Sequence, residues 1–144
     1  MSSSLVFQVA NLWAVTGWLA LAAAVILGRQ AWISRWVMTI WPLSLATLYA
    51  ALILFFFFAA PGGFDSLAHV QLLFTDQWAA LAGWVHYLAF DLFIGGWISL
   101  QVLQRALPRW LLIGILPLTF LFGPIGLLLF SLARLAFDHR ETAA

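Results

Sequence analysis

Four long runs of apolar residues, almost free of charge, constrain this chain more than any other feature. They cover residues 5–27, 37–60, 77–104 and 110–137. Each exceeds the roughly 20 residues that an α-helix needs to cross the apolar core of a bilayer. With 65% hydrophobic and only 8% charged residues, the chain has too little polar surface for a soluble domain. The sequence therefore predicts an all-α integral membrane protein, a four-helix bundle that forms one domain over residues 1–144.

A shorter helical pattern, FDSLAHVQLLF at residues 64–74, lies between the second and third runs. Asp65 or Ser66 is suited to cap it, and its apolar residues recur at helical spacing. About ten residues are too few to cross a bilayer, so this helix is predicted to lie along the membrane surface. Thr75 or Asp76 is suited in the same way to cap the third long helix.

The positions of the arginines predict an orientation. If the chain crosses the membrane four times, the loops after the first and third runs share one side. Those loops hold four of the six arginines: Arg29, Arg35, Arg105 and Arg109. Cytoplasmic loops are enriched in Lys and Arg, which predicts that both termini lie outside. The first residues look like neither a cleaved signal peptide nor an Arg- and Ser-rich plastid leader, and this indicates the inner membrane of a bacterium.

Composition excludes several kinds of partner and chemistry. A net charge of +1 without a basic stripe argues against binding to nucleic acid. The absence of Cys removes disulfides, thiolate metal sites and iron–sulfur clusters, and the absence of Lys removes Schiff-base chemistry. No cofactor and no metal is therefore expected. The residues leave open whether the protein forms a homo-oligomer.

The stretch HYLAFDLFIGGW, residues 86–97, places two ionisable side chains inside the third apolar run. Asp91 lies near the middle of the run, where an aspartate costs about 2.5–3.5 kcal/mol on insertion, so it is expected to face protein or a wet cavity. A carboxylic acid in an apolar site can donate a proton, and an acid at this depth is functional by default. The alternative is a structural carboxyl that ties helices together by hydrogen bonds.

His86 precedes Asp91 by five residues, which places it about 140° around an α-helix from the acid. The two side chains are therefore predicted to lie on different faces, and they could border one cavity only if the third helix is central. Asp91 and His86 are the candidate catalytic residues. A histidine that is simply hydrogen-bonded to a neighbouring helix is the equal alternative for His86.

Further residues are candidates for contact with a substrate. Asn11 is an amide deep in the first run, and it is expected to bond to another helix, with Asp91 or His86 as suitable partners. Pro124 removes the hydrogen bond to the Phe120 carbonyl, and the resulting kink could make room for a cavity or serve packing alone. The predicted substrate-binding set is Asn11, Trp18, Trp84, Tyr87, Trp97 and Pro124.

Several segments of the chain together resemble a family of small four-helix membrane proteins that includes plant neoxanthin synthase, the abscisic-acid-deficient-four-like family. These segments are ANLWAVTGW (10–18), GGFDSLAHVQLLF (62–74), GWVHYLAFDLFIGGW (83–97) and PLTFLFGPIGLLLF (117–130). The resemblance covers most of the chain. It departs at Gly96 and Gln101, where plant members tend to have an arginine and an acid.

The resemblance implies xanthophyll chemistry, in which a 5,6-epoxide opens and a proton is lost to form an allene, with no redox change. Such an isomerisation needs an acid at the epoxide oxygen and a base at the departing proton, and Asp91 and His86 are the matching candidates. The expected ligand is a carotenoid or another apolar isoprenoid lipid, with the exact reaction open. The competing hypothesis is a non-enzymatic binder of carotenoid or lipid, or an accessory subunit of a membrane complex.

Overall fold

The computed structural model describes residues 2–142, and the side chains up to residue 137. This part of the chain contains no strand and folds into six helices. The helices are α1 (Ser3–Ile26), α2 (Gln30–Ala59), α3 (Leu67–Leu73), α4 (Gln77–Gln104), α5 (Leu111–Phe122) and α6 (Pro124–Thr142). Among them α1, α2 and α4 are long and apolar enough to cross a membrane, and α5 and the apolar part of α6 are shorter. The all-α class is therefore confirmed.

Side-chain caps set the starts of the helices. The Asp76 carboxylate accepts hydrogen bonds of 2.9 Å from the N–H groups of Trp78 and Ala79, so α4 begins at the predicted residue. The Ser66 hydroxyl accepts the His69 N–H at 3.2 Å and begins α3. Each is one of the two cap candidates that the sequence offers at that start, because a short side-chain oxygen satisfies N–H groups that the first helical turn leaves free.

The end of α1 shows why the first loop is so short. Gly28 has a φ of +65°, and the Arg29 N–H donates to the Ala24 carbonyl at 2.9 Å. This is the helix ending that glycine favours, because it has no Cβ to clash in the left-handed region. The chain then enters α2 at once, and α2 begins with a wide turn of π-helix at Ile33–Val37.

Helix α4 is the central element, since it packs against α1, α2 and α5. Small residues allow the closest approaches. A Cβ placed on Gly95 would lie 2.6 Å from the Trp18 ring, and a Cβ placed on Gly17 would lie 2.8 Å from the Trp41 ring. Fourteen residues of α4 are buried, from Ala79 to Val102.

The predicted fourth span is not one helix but a hairpin. A Cβ placed on Gly126 would lie 2.7 Å from the Thr119 Cα, although seven residues of straight helix would separate the two by about 10 Å. The chain therefore reverses its direction at Gly123, between α5 and α6. The ring of Phe130 packs edge-on against Trp97 at 5.5 Å, which places α6 beside the second half of α4. A kink had been predicted at Pro124, but the complete reversal had not.

The reversal changes where the chain ends. The Ser3 hydroxyl donates to the Gln77 side-chain oxygen at 2.7 Å, so the start of α1 lies beside the start of α4. In contrast, Phe137 packs into the cluster that contains Leu107, beyond the end of α4. The two ends of the described chain thus lie at opposite ends of the bundle. The prediction that both termini share a side assumed four crossings, and the hairpin removes that assumption.

Candidate functional site

A groove runs along the surface where α1 lies beside α4 and α5. Four adjoining cavities form it, of about 530, 200, 270 and 540 Å³ in order from Ser3 to Ile26. Neighbouring cavities share walls: Trp84 between the first two, Val15 and Phe120 between the next two, and Ala22, Leu116 and Pro117 between the last two. The α1 segment beside it rises about 35 Å, slightly more than the apolar thickness of a bilayer.

The groove exists because α1 packs on α4 and makes few backbone contacts with the described part of α5. Its walls are largely apolar, and several are partly exposed, including Leu19 at 66% and Leu121 at 55%. Polar side chains occur at its two ends. They are Ser3, Ser4, Gln8 and Gln77 at one end, and Arg109 at the other.

Polar groups also occur at the middle of the groove, and they come from α1 and α4. The Asn11 amide donates to the Phe7 carbonyl at 2.7 Å, and its oxygen accepts the Trp84 indole N–H at 3.1 Å. The Trp84 ring in turn contacts the Tyr87 ring at 5.3 Å. Asn11 was predicted to bond to another span, and its partner is Trp84 rather than Asp91 or His86.

Tyr87 joins α4 to the tip of the hairpin. Its hydroxyl donates to the Phe120 carbonyl at 3.0 Å. That carbonyl lies four residues before Pro124, which has no N–H to offer it, so the tyrosine supplies the missing donor. Both Tyr87 and Phe120 line the 200 Å³ cavity, and Tyr87 therefore presents a polar atom to the groove.

Asp91 lies one helical turn after Tyr87, and its side chain is only 7% exposed. A Cβ placed on Gly123 would lie 2.8 Å from the Asp91 Cγ and 3.1 Å from Oδ2, so the carboxyl packs directly on the glycine at the reversal. The Oδ2 atom is buried and has no hydrogen-bond partner among the residues that the structure describes. The Tyr87 hydroxyl is near enough to interact with this carboxyl. Asp91 thus lies behind Tyr87 and does not itself line the groove.

His86 lies on another face of α4, as the helical spacing predicted. Its ring contacts Tyr49 of α2 at 5.4 Å and Phe90 at 4.6 Å. It lines a separate cavity of about 380 Å³ between α2, α3 and α4. The structure therefore does not bring His86 and Asp91 together at one site.

The remaining predicted residues divide between the groove and the core. Trp18 lines the groove and meets the Phe120 ring edge-on at 5.4 Å. Trp97 packs on Phe130 and takes no part in the groove walls. Pro124 follows the reversal and is exposed.

Sequence reasoning missed two residues that shape this site, Phe120 and Gly123. Phe120 separates two of the groove's cavities and accepts the Tyr87 hydroxyl, while Gly123 takes the Asp91 carboxyl against its backbone. A signal for Gly123 was present, since the dipeptide Gly-Pro marks a break in a helix. For Phe120 the sequence indicated only that Pro124 frees its carbonyl; nothing indicated that Tyr87 supplies the donor or that the Phe120 ring divides the groove.

The fold and the groove define a class: a small helical membrane protein with an apolar groove and a buried acid beside it. The chain belongs to the ABA DEFICIENT 4-like family, whose family model matches residues 5–130. The match extends over α1 to α5 and the first turns of α6, and so includes Tyr87, Asp91 and Gly123. No curated protein and no solved structure matches the chain.

Proposed function

We propose that the protein binds one linear isoprenoid lipid, most simply a carotenoid, in the groove beside α1, and isomerises it next to Tyr87. The continuous groove is the observation that carries this proposal. It is long, apolar and open toward the bilayer, and its polar side chains stand at the middle and at the two ends. These features match an extended polyene with an oxygen function near each end and a reacting bond within reach of Tyr87.

The proposed chemistry uses Tyr87 and Asp91. Tyr87 lines the groove, and its hydroxyl turns from the Phe120 carbonyl to an oxygen of the substrate and donates its proton as the C–O bond breaks. A proton leaves a neighbouring carbon in the same isomerisation, so the substrate keeps its composition and no oxidant is required. The Tyr87 oxygen, left deprotonated at the groove wall, takes up that proton and so returns to its starting state, while the buried Asp91 carboxyl behind it positions the tyrosine. His86 has no part in this scheme because it faces another cavity.

Placement in the membrane supports a site open to lipid. We propose three full crossings, by α1, α2 and α4, with α3 along the surface and the α5–α6 hairpin entering from the side where α4 ends. Backbone that reverses at membrane depth must be satisfied by protein. The Tyr87 bond to the Phe120 carbonyl meets that requirement at the tip.

The burial of Asp91 favours a second candidate function, which is binding without chemistry. A carboxyl packed against the Gly123 backbone could act only to fasten the hairpin. In that case the groove would hold a carotenoid or lipid for a larger membrane complex, and the protein would leave the ligand unchanged.

Pigment analysis in a carotenoid-producing host separates these functions. Wild type, Tyr87→Phe, Asp91→Asn and Val15→Trp would be expressed, and bound and total pigments resolved by chromatography. For an isomerase, Tyr87→Phe and Asp91→Asn should retain bound pigment but lose conversion by at least about 100-fold, the scale of general acid–base catalysis. Val15→Trp, which fills the wall shared by two cavities, should lose bound pigment.

The matched control is Thr47→Val, which removes a hydroxyl bonded only to its own helix, at the Leu43 carbonyl. It should behave as wild type. If pigment is bound but never converted by any variant, including wild type, the binder is favoured. If wild type neither binds nor converts pigment, both functions fail.

A further inference from the structure

The 380 Å³ cavity between α2, α3 and α4 is separate from the groove. Its walls are mostly apolar or aromatic, and no charged side chain lines it. Phe57, Phe64 and Phe74 surround its outer side, and Phe57 stacks on Phe64 at 5.4 Å. A volume of this size lies within the range of small-molecule sites.

Two polar groups meet in this cavity without partners. The ring of His86 lies edge-on to the ring of Tyr49, with 5.4 Å between their centroids. His86 is exposed and Tyr49 is half-buried, and within the described residues neither the imidazole nitrogens of His86 nor the Tyr49 hydroxyl makes a hydrogen bond. Intramembrane polar groups normally find a partner, since lipid tails offer none.

The positions of His86 and Tyr49 along their helices support a ligand that enters from the bilayer. His86 is nine residues after the start of α4, about 14 Å along the helix, and Tyr49 is ten residues before the end of α2. Both side chains therefore lie beneath the surface on which α3 rests. A ligand that enters from the bilayer would be their natural partner.

The side chains that line the cavity limit the chemical class of ligand that it could bind. A tyrosine O–H and an imidazole N–H can both donate hydrogen bonds, so a ligand with acceptor oxygens would satisfy both side chains. The absence of charged walls excludes an ionic headgroup, and the aromatic walls suit a flat ring. A neutral ring with carbonyl oxygens and an apolar tail meets all three conditions.

We propose that this cavity is a binding site for an isoprenoid quinone. One carbonyl oxygen of the ring accepts hydrogen bonds from Tyr49 and His86, the ring lies among Phe57, Phe64 and Phe74, and the tail extends into the bilayer. The proposal does not rest on the groove, because the two sites occupy different faces of α4.

The test measures binding of decylubiquinone, a short-tailed benzoquinone, to the whole protein in lipid nanodiscs. Quenching of tryptophan fluorescence reports binding, and Trp78 is well placed because it stacks on Phe56 next to the cavity at 4.3 Å. Empty nanodiscs and free tryptophan correct for quinone dissolved in the lipid. Tyr49→Phe and His86→Leu should each raise the Kd about three- to tenfold, the loss of one hydrogen bond.

Thr47→Val is the matched control, because it removes a hydroxyl of α2 that bonds only to its own helix, at the Leu43 carbonyl, and it should leave the quinone Kd unchanged. Equal affinity of wild type, Tyr49→Phe and His86→Leu would overturn the proposal, as would quenching no greater than that of the lipid alone. A Soret band on haem titration that His86→Leu abolishes, with no quinone binding, would overturn it in favour of haem. None of these outcomes bears on whether the groove converts pigment, because the groove and this cavity share no lining residue.

Discussion

At the scale of single residues, the contact between Asp91 and Gly123 joins the buried acid of α4 to the tip of the hairpin. Asp91 is among the few buried polar side chains in the described chain, together with Ser99 and Thr119. Those two hydroxyls bond to their own helix, to the Gly95 and Ile115 carbonyls at 2.8 Å. The Asp91 carboxyl instead packs on Gly123 at the reversal, so a substitution at Gly123 should disturb the acid directly.

Gly123→Ala should therefore destabilise the protein by about 1–3 kcal/mol, the usual range for overpacking. The added methyl group would meet the Asp91 carboxyl, whose Cγ is only 2.8 Å from the Cβ position. Thermal unfolding in detergent, followed by circular dichroism, measures the effect.

A double-mutant cycle with Asp91→Ala supplies the control for this prediction. Removing the carboxyl makes room for the new methyl group, so the two changes together should cost less than their sum. Strict additivity of the two free energies of unfolding would contradict the direct contact.

At the scale of elements, the hairpin of α5 and α6 is the feature that most alters the expected bundle. Cysteine pairs can test it, because the chain has no cysteine of its own. Trp97→Cys with Phe130→Cys should be joined by a short bis-methanethiosulfonate reagent, since the two native rings are in contact at 5.5 Å and the reagent spans the gap that the shorter cysteines leave. The cross-link would be read as a mobility shift that reduction reverses.

Trp84→Cys with Phe130→Cys is the negative control. If α6 continued α5 without reversing, Phe130 would lie about 10 Å beyond Gly123 and so near the depth of Trp84. Cross-linking of this pair, and not of the first, would show that the hairpin is absent.

The sequence predicted some of these elements well, for physical reasons that can be named. A cap bonds to N–H groups only two or three residues ahead, so Asp76 and Ser66 were among the cap candidates that the chain alone indicated. The separation of His86 from Asp91 followed from helical geometry. The reversal at Gly123 could not be predicted in the same way, because an apolar run with Gly and Pro suits both a kinked span and a hairpin. The groove forms because α1 and α5 make few contacts with each other, and no local sequence pattern predicts the contacts between two distant helices.

At the scale of the whole molecule, the hairpin places the arginines together. Arg29, Arg105 and Arg109 occupy the loops at the end of the bundle where α1 and α4 finish, and Arg35 lies in the first turns of α2 at that end. Helix α6, whose sequence includes Arg134 and Arg140, runs toward the same end. The opposite end carries Asp65 and Asp76. Because cytoplasmic segments are enriched in Arg, we expect the amino terminus outside and the carboxyl terminus inside.

Reporter fusions check this orientation. Green fluorescent protein at the carboxyl terminus should fluoresce, and alkaline phosphatase at the same position should be inactive. Alkaline phosphatase carried on an added span at the amino terminus provides the matched comparison. An active phosphatase at the carboxyl terminus would instead indicate a fourth crossing.

The short hairpin also has a consequence for biogenesis. Helix α5 has 12 residues and rises only about 18 Å, well short of a bilayer core of about 30 Å. A helix of this length cannot span the bilayer alone, so we expect it to insert only after α4 has inserted and offers a surface to pack on. Tyr87 and Asp91 are then the receiving surface for the tip. The residues that we assign to chemistry would thus also decide whether the last third of the chain enters the membrane at all.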